Sequence, residues 1–279
     1  MKNQKMKIRI TSDIHLDHYR PDNLWYPLEM EDDKDTILIL AGDLWEGSKW
    51  IEYAGDSWIA RVAPRFKQVL IVGGNHDVWP SGGLKVFNYA DKCNGMLQDH
   101  GLFNVQVLDQ ATWKHEDVIF VGCTLWTDMN KADPMTMMTI KQFMNYDGKI
   151  IYDHMPDGSG IRRFTSEKWV ALHHKHRKYI HEVAHTNPDK RIVVITHHVP
   201  MTTLGDPRYV GDNTNGYYMS DCSDVILDNK NIVMWCYGHS HFSVDRMMVN
   251  CRMVNNSLGY IGEHKLHTGE CDELKVIEL

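Results

Sequence analysis

The sequence predicts an α/β fold built on parallel strands, and two observations carry that prediction. Short apolar, β-branched runs alternate with segments of helical spacing from Lys7 to about Val199, the pattern of strand–helix–strand units. Five segments following such runs also end in residues that bind hard or borderline metals. They are Asp13-Ile14-His15, Gly42-Asp43, Gly74-Asn75-His76-Asp77, Thr196-His197-His198 and Gly238-His239-Ser240-His241. Open α/β sheets gather their sites outside the C-terminal ends of their strands, so both observations describe one architecture.

Taken in order, Ile8-Arg9-Ile10 leads into the first of these segments, Ile37–Leu40 into the second, Val69–Val72 into the third and Ile192–Ile195 into the fourth. Ile232–Trp235 and a Cys-Tyr-Gly step precede the fifth. Between the second and third, Trp50, Ile51, Tyr53, Ala54, Trp58, Ile59 and Val62 predict a helix over about Ser48–Val62, closed by Pro64. A further helix is expected from about Gly83 to Cys93, then strands near Val105–Leu108 and Val118–Gly122. From Asp128 to about Gly160 the pattern loosens into a methionine-containing, lid-like insertion, part helix and part loop, with a turn at Asp157–Gly160. A helix follows over about Ser166–His185, its apolar stripe at Trp169, Leu172, Ile180 and Val183. The histidines between (His173, His174, His176, His181 and His185) read as a solvated basic face rather than a metal tract. Beyond Gly238 the chain reads as hairpins: Phe242–Asp245, Met247–Val249, Arg252–Val254 and Leu274–Glu278. No linker divides the chain, so residues 1–279 are read as a single domain.

Composition narrows the partners. A net charge of −7 offers no broad basic face, which argues against gripping long nucleic acid by counterion release. The six cysteines form no CxxC pair and read as reduced thiols in or near a core. No apolar stretch approaches a membrane span and no secretory core follows the basic N-terminus; the expectation is a cytoplasmic protein with no membrane partner.

The candidate ligands mix carboxylate, amide oxygen and imidazole without thiolate. That set suits manganese first, with iron, zinc or nickel as alternatives, and suits an all-oxygen magnesium cage less. Some seven ligands would over-supply one ion but not two ions sharing a carboxylate, ~3.5–4 Å apart. Such a pair deprotonates a bridging water, clamps a phosphate oxygen and stabilises the leaving group. Hydrolysis of a phosphate ester needs all three.

The order DxH, GD, GNHD, H, GHxH, from Asp13 to His241, resembles the calcineurin-like metallophosphoesterase superfamily. Thr124–Asp128 and Asn255–Tyr260 resemble a small stand-alone bacterial and phage subgroup. The resemblance implies a four-layer α-β-β-α sandwich of two mixed sheets. It also implies that Asp13, His15 and His241 hold one metal, that Asn75, His197 and His239 hold the other, and that Asp43 bridges both. His76 would contact the phosphate and protonate the leaving oxygen. Asp77, grouped with it at the catalytic site, would fix the turn around it. Glu46 stands where the family often has an Asp or His that orients this histidine, and the Arg and Glu that mark protein serine/threonine phosphatases are absent.

The family acts on many phosphoesters, so specificity must come from segments near the metals. The candidates are the Asp128–Gly160 insertion, the loop from about Met201 to Met219 with Arg208, Tyr209, Tyr217 and Tyr218, and the first loop with His18, Tyr19 and Arg20. Aromatic and arginine side chains could stack a base and hold a second phosphate. The expected substrate is therefore a small-molecule phosphomono- or diester such as a nucleotide. The alternatives are a DNA or RNA nuclease or end phosphatase, and a non-catalytic metal-stabilised scaffold.

Overall fold

The computed structural model describes residues 5–52, 56–79, 86–146, 151–154, 160–263 and 271–279. Thirteen strands lie among them, in chain order: β1 Lys7–Thr11, β2 Thr36–Ala41, β3 Gln68–Val72, β4 Val105–Val107, β5 Ala111–His115, β6 Val118–Gly122, β7 Tyr152–His154, β8 Ile161–Arg163, β9 Arg191–Ile195, β10 Ile232–Tyr237, β11 Val244–Met248, β12 Cys251–Asn255 and β13 Ile277–Glu278. One sheet has the order β13-β1-β2-β3-β4 and a second β11-β12-β10-β9-β6-β5, with β7-β8 a separate hairpin. The inner strands pair parallel, as does the edge strand β4 with β3, while the edge pairs β13–β1, β11–β12 and β5–β6 run antiparallel.

Strand periodicity builds the layers. In β2, Ile37, Ile39 and Ala41 point into a core shared with Val118, Phe120, Val193, Ile195 and Met234 of the second sheet. Leu38 and Leu40 point the other way, onto Trp58, Ile59, Val62, Cys93 and Leu97. On the far side of the second sheet, Val121, Val194 and Trp235 pack on Ile180, Ala184, Val225 and Ile226. Strands apolar on both faces read as continuous runs, which is why β2, β3 and β9 are unbroken stretches of Val, Ile and Leu. The result is the expected α-β-β-α stack.

Several local expectations needed correction. Of the helix expected over Ser48–Val62, only Trp58–Val62 is helical among the described residues, capped by Ser57 and followed by a turn holding Pro64. Ser48–Ile51 is a turn closed by the Ile51 amide on the Ser48 carbonyl, with Trp50 and Ile51 fully buried; Tyr53 and Ala54 lie outside the described residues. The apolar spacing there reported burial rather than helix. The next helix is Tyr89–Asp99, shifted from the expected Gly83–Cys93, whose start lies outside the described residues. The sequence reading missed β5. The insertion contains the helix Pro134–Tyr146 and β7, which pairs with β8 just beyond it; residues 157–159 of its expected turn lie outside the described residues. The last segments form one hairpin, β11–β12, while β13 closes the other sheet against β1. Five cysteines are buried and Cys271 is half-buried, all as free thiols. Among the described residues no helix is long and apolar enough to cross a membrane.

The histidine face of the long helix, Ser166–Thr186, also departs from expectation. His173 and His176 are buried, and His176 Nδ1 accepts the Leu125 amide at 3.1 Å. Burial lowers their pKa values to about 4 and about 3 respectively. The unfolded chain protonates its histidines first as pH falls through about 6.5, so the contribution of these two is complete above that pH and lost below it. Denaturant unfolding between pH 7.5 and 4.5 should show stability falling with pH. His176→Gln should flatten that slope by up to about 1.4 kcal/mol per pH unit; an unchanged slope would show that His176 does not titrate as placed.

Candidate metal centre

The five motifs leave β1, β2, β3, β9 and β10 at the same end of the two sheets, and the chain must bend sharply there. Asp13, His15, Asp43, His239 and His241 all adopt left-handed backbone conformations, with φ between 48° and 69°. Asp, Asn and His tolerate that region better than most residues, yet it costs on the order of 1–3 kcal/mol per residue, and such positions cluster at functional sites. The His239–His241 segment is therefore curled, with positive φ at both histidines. Two glycines make room for the convergence. A Cβ on Gly42 (φ +91°) would lie 2.3 Å from His197 Nδ1, and one on Gly74 would lie 2.1 Å from Asp43 Oδ1.

Asp13, His15 and His241 form one cluster of potential metal donors. His15 Nε2 and His241 Nε2 face each other at 3.2 Å, with Asp13 Oδ1 3.4 Å from His241 Nε2. Two imidazole lone pairs that close need a proton or a cation between them. His241 donates from Nδ1 to Glu263 Oε2 at 2.7 Å, which turns its other nitrogen inward as carboxylate–histidine–metal triads do. Asp13 is aimed by the Ser12 and Ser257 hydroxyls, donating to its Oδ2 at 2.5 and 2.7 Å, and by the His239 amide.

A second cluster holds Asp43, His197 and His239. His197 Nε2 lies 3.1 Å from Asn75 Oδ1, 3.1 Å from His239 Nδ1 and 3.2 Å from Asp43 Oδ2. Its Nδ1 donates to the Ala41 carbonyl at 2.9 Å, which leaves the Nε2 lone pair for the centre. Asp43 also groups with His15 and His76, so it is the carboxylate that reaches both clusters. His198 belongs to none of these clusters: its ring packs on His239, centroids 4.3 Å apart, and on Trp126 and Trp169, and its Nδ1 is 3.3 Å from the Thr124 carbonyl.

Electrostatics agree with the geometry. Burial opposes charge on both histidines, but Asp43 outweighs it at His197, raised to about 9, and Asp13 with Glu263 outweighs it at His241, raised to about 10. Burial likewise works against Asp13 and Asp43, yet the histidines hold both carboxyls well below their ordinary values. The cluster attracts positive charge. Buried His15 Nδ1 and His239 Nε2 have no hydrogen-bond partner. A buried, thiolate-free N/O set with inward lone pairs and a shared carboxylate fits two divalent transition ions.

Around this centre lies a cavity of about 310 Å³, lined by Asp43, Asn75, His76, His239, His241 and Tyr209 and by Tyr217 and Tyr218, whose rings lie 5.3 and 4.9 Å from that of His239, with the Tyr217 hydroxyl accepting from Asn75 Nδ2 at 3.3 Å. His76 stacks on Trp79, its ring centroid 3.5 Å away, with Nε2 3.9 Å from Asp43 Oδ2. Asp77 is fully buried. Its Oδ2 accepts the Asp43 and Gly74 amides at 2.9 and 2.6 Å and its Oδ1 the Tyr89 hydroxyl at 3.2 Å. Burial and the Asp43 charge push it up to about 7 against those amides. This is the geometry of a clamp between two ligand loops, with both oxygens engaged.

Of the three expected specificity segments, the 201–219 loop lines the cavity. The insertion contributes no lining residue among those described, and the first loop brings only His18 near, its ring 4.9 Å from Tyr260. Arg208 is turned to Asp206, donating from Nε to both carboxylate oxygens at 3.0 and 2.8 Å, and is not in the lining. Sequence reasoning missed Ser12, Glu263 and the individual role of Ser257. Their spacing carries no signal, because each acts across a distant chain segment.

A two-sheet sandwich with a dinuclear donor set at its strand ends defines a class, the metal-dependent phosphoesterases. The chain belongs to the calcineurin-like phosphoesterase family, whose model matches residues 6–243. It is therefore a phosphoric ester hydrolase. It is similar to an uncharacterised protein of Acanthamoeba polyphaga mimivirus, 23% identical over 278 residues and covering 92% of each chain. Its fold is similar to that of the phosphopantetheinyl hydrolase from Mycobacterium tuberculosis, with a TM-score of 0.63 and 16% identity over 99% of this chain and 96% of that one.

Because His197 and His241 hold protons near neutrality, titrating manganese into metal-free protein at pH 7.5 should release a proton from each. Affinity should rise with pH up to about 10; calorimetry in buffers of different ionisation enthalpy would measure both. Asp43→Asn should lose both ions by elemental analysis, while Glu263→Gln should weaken binding roughly 10–100-fold. Full metal content in Asp43→Asn would remove the bridging assignment.

Proposed function

We propose that this enzyme hydrolyses a small-molecule phosphate mono- or diester, a nucleotide or a similarly sized ester, with Asp13, His15 and His241 holding one divalent ion and Asn75, His197 and His239 the other. Asp43 bridges them. The observation that carries this reading is the pair of inward-facing histidine contacts (His15 with His241, His197 with His239) joined through Asp43 at the floor of a cavity that also contains His76.

Bound ions supply Lewis acidity to the phosphoryl oxygens and a nucleophile drawn from water at neutral pH. The protein supplies the rest. His76, braced on Trp79 and kept near Asp43, offers Nε2 to the departing oxygen and delivers the proton it needs. Asp77 locks the Gly42-Asp43 and Gly74-Asn75-His76 loops to each other, so the bridging carboxylate and the acid keep a fixed separation. The His76 amide donates to Asp43 Oδ1 at 2.9 Å, which ties the two still more closely.

Tyr209, Tyr217 and Tyr218 give the cavity flat, amphipathic walls suited to the organic part of the ester. Beside those walls Arg208 is held by Asp206, itself a lining residue. The size of the cavity, about 310 Å³, sits at the lower end of small-molecule sites and favours a compact ester over a polymer.

Manganese-loaded protein should turn over members of a panel of cyclic nucleotides, nucleoside monophosphates, glycerophosphodiesters and phosphopantetheinyl esters. The last arm is suggested by the similarly folded mycobacterial protein. His76→Ala should lower kcat roughly 10²–10⁴-fold with metal content intact. Strongly salt-dependent degradation of single-stranded DNA, with the small esters untouched, would replace this reading with a nuclease.

A further inference from the structure

Tyr260 belongs to none of the donor clusters, yet it lines the same cavity. Its ring stacks on His15, with centroids 4.3 Å apart and planes at 27°, and its hydroxyl lies 3.3 Å from His76 Nε2. The phenol and the imidazole therefore stand side by side above the centre. The placement is built from several directions. The Tyr260 amide donates to Glu263 Oε2 at 2.9 Å, the same oxygen that receives His241 Nδ1, and the Glu263 amide returns to the Tyr260 carbonyl at 3.0 Å. Just upstream, the Leu258 and Gly259 amides donate to the Ser12 and Asp13 carbonyls, both at 2.9 Å. One short turn thus fixes a metal-facing histidine and presents a hydroxyl to the proton donor.

We propose that Tyr260 is a second catalytic residue, donating its O–H to the leaving oxygen of the ester alongside His76. This rests on the small-ester reading above. Two donors 3.3 Å apart can both reach one oxygen at the usual ~2.8 Å, so the contact seen here between Tyr260 and His76 Nε2 marks where that oxygen would sit. As the bond between phosphorus and the leaving oxygen breaks, its electron pair goes to that oxygen. The oxygen takes the proton from His76 Nε2, while the oxygen of water bonds to phosphorus and its proton passes to solvent. Tyr260 keeps its own proton throughout. Its hydrogen bond strengthens as negative charge builds on the departing atom, the condition under which a fixed donor accelerates a reaction.

Tyr260→Phe keeps the ring on His15 and removes only the hydroxyl. Metal content, kcat and KM would be measured for wild type and variant on phenyl and p-nitrophenyl esters of the same phosphate. The two leaving groups differ in how much charge they can bear unaided. The expected result is full metal content and nearly unchanged KM. The kcat should fall about ten- to a hundredfold on the phenyl ester and distinctly less on the nitrophenyl ester. No loss, or an equal loss on both esters, would overturn the assignment to the leaving oxygen. Loss of bound metal would overturn it too, by reducing Tyr260 to a support for His15. Wild type inert on both esters would instead overturn the small-ester reading, and this proposal with it.

Discussion

Five chain segments far apart in sequence must bring charged and polar groups to a single buried point, and the fold answers to that requirement. Two sheets face each other through Ile37, Ile39, Phe120, Val193 and Ile195, and their parallel inner strands all terminate on one side. The stack is thus both the hydrophobic core and the device that sets the donor distances. Parallel strands buried on both faces make this workable, since their backbone hydrogen bonds are satisfied within the sheet and only the loops remain to carry polar side chains.

The donors are held at a second level by groups outside the donor clusters. Asp77 binds amides from two loops, Glu263 couples His241 to the turn that carries Tyr260, and Ser12 and Ser257 fix Asp13. Each is a short local contact with consequences across the centre. A carboxylate or hydroxyl that misplaced its partner by an ångström would alter the spacing on which dinuclear chemistry depends.

The parts legible in the sequence were those whose signature is local. Ile37–Leu40 followed by Gly42-Asp43, or Val69–Val72 followed by Gly74-Asn75-His76, announces both a buried strand and a polar turn within ten residues. Such runs and turns marked the strands and the family resemblance, and that resemblance implied the layer order. What could not be read depends on tertiary contact. Trp50 and Ile51 have helical spacing but sit in a turn, because the core beneath β2 accepts large side chains without needing a helix. His173 and His176 look like surface histidines by composition and are buried, one against the Trp126 carbonyl and one against the Leu125 amide. Glu263 is one carboxylate among many until the chain folds it onto His241.

The left-handed strand ends have a further bearing on how this centre can be altered. At Asp13, His15, Asp43, His239 and His241 an alanine would change two properties together, removing the donor and placing an ill-suited side chain at positive φ. Asparagine sits comfortably in that region and, for the two aspartates, preserves shape while deleting charge. Replacement by asparagine therefore separates coordination from conformation, whereas β-branched residues at these corners would be rejected by the backbone before any chemistry could be assayed. The same double demand leaves these five corners little room for sequence drift.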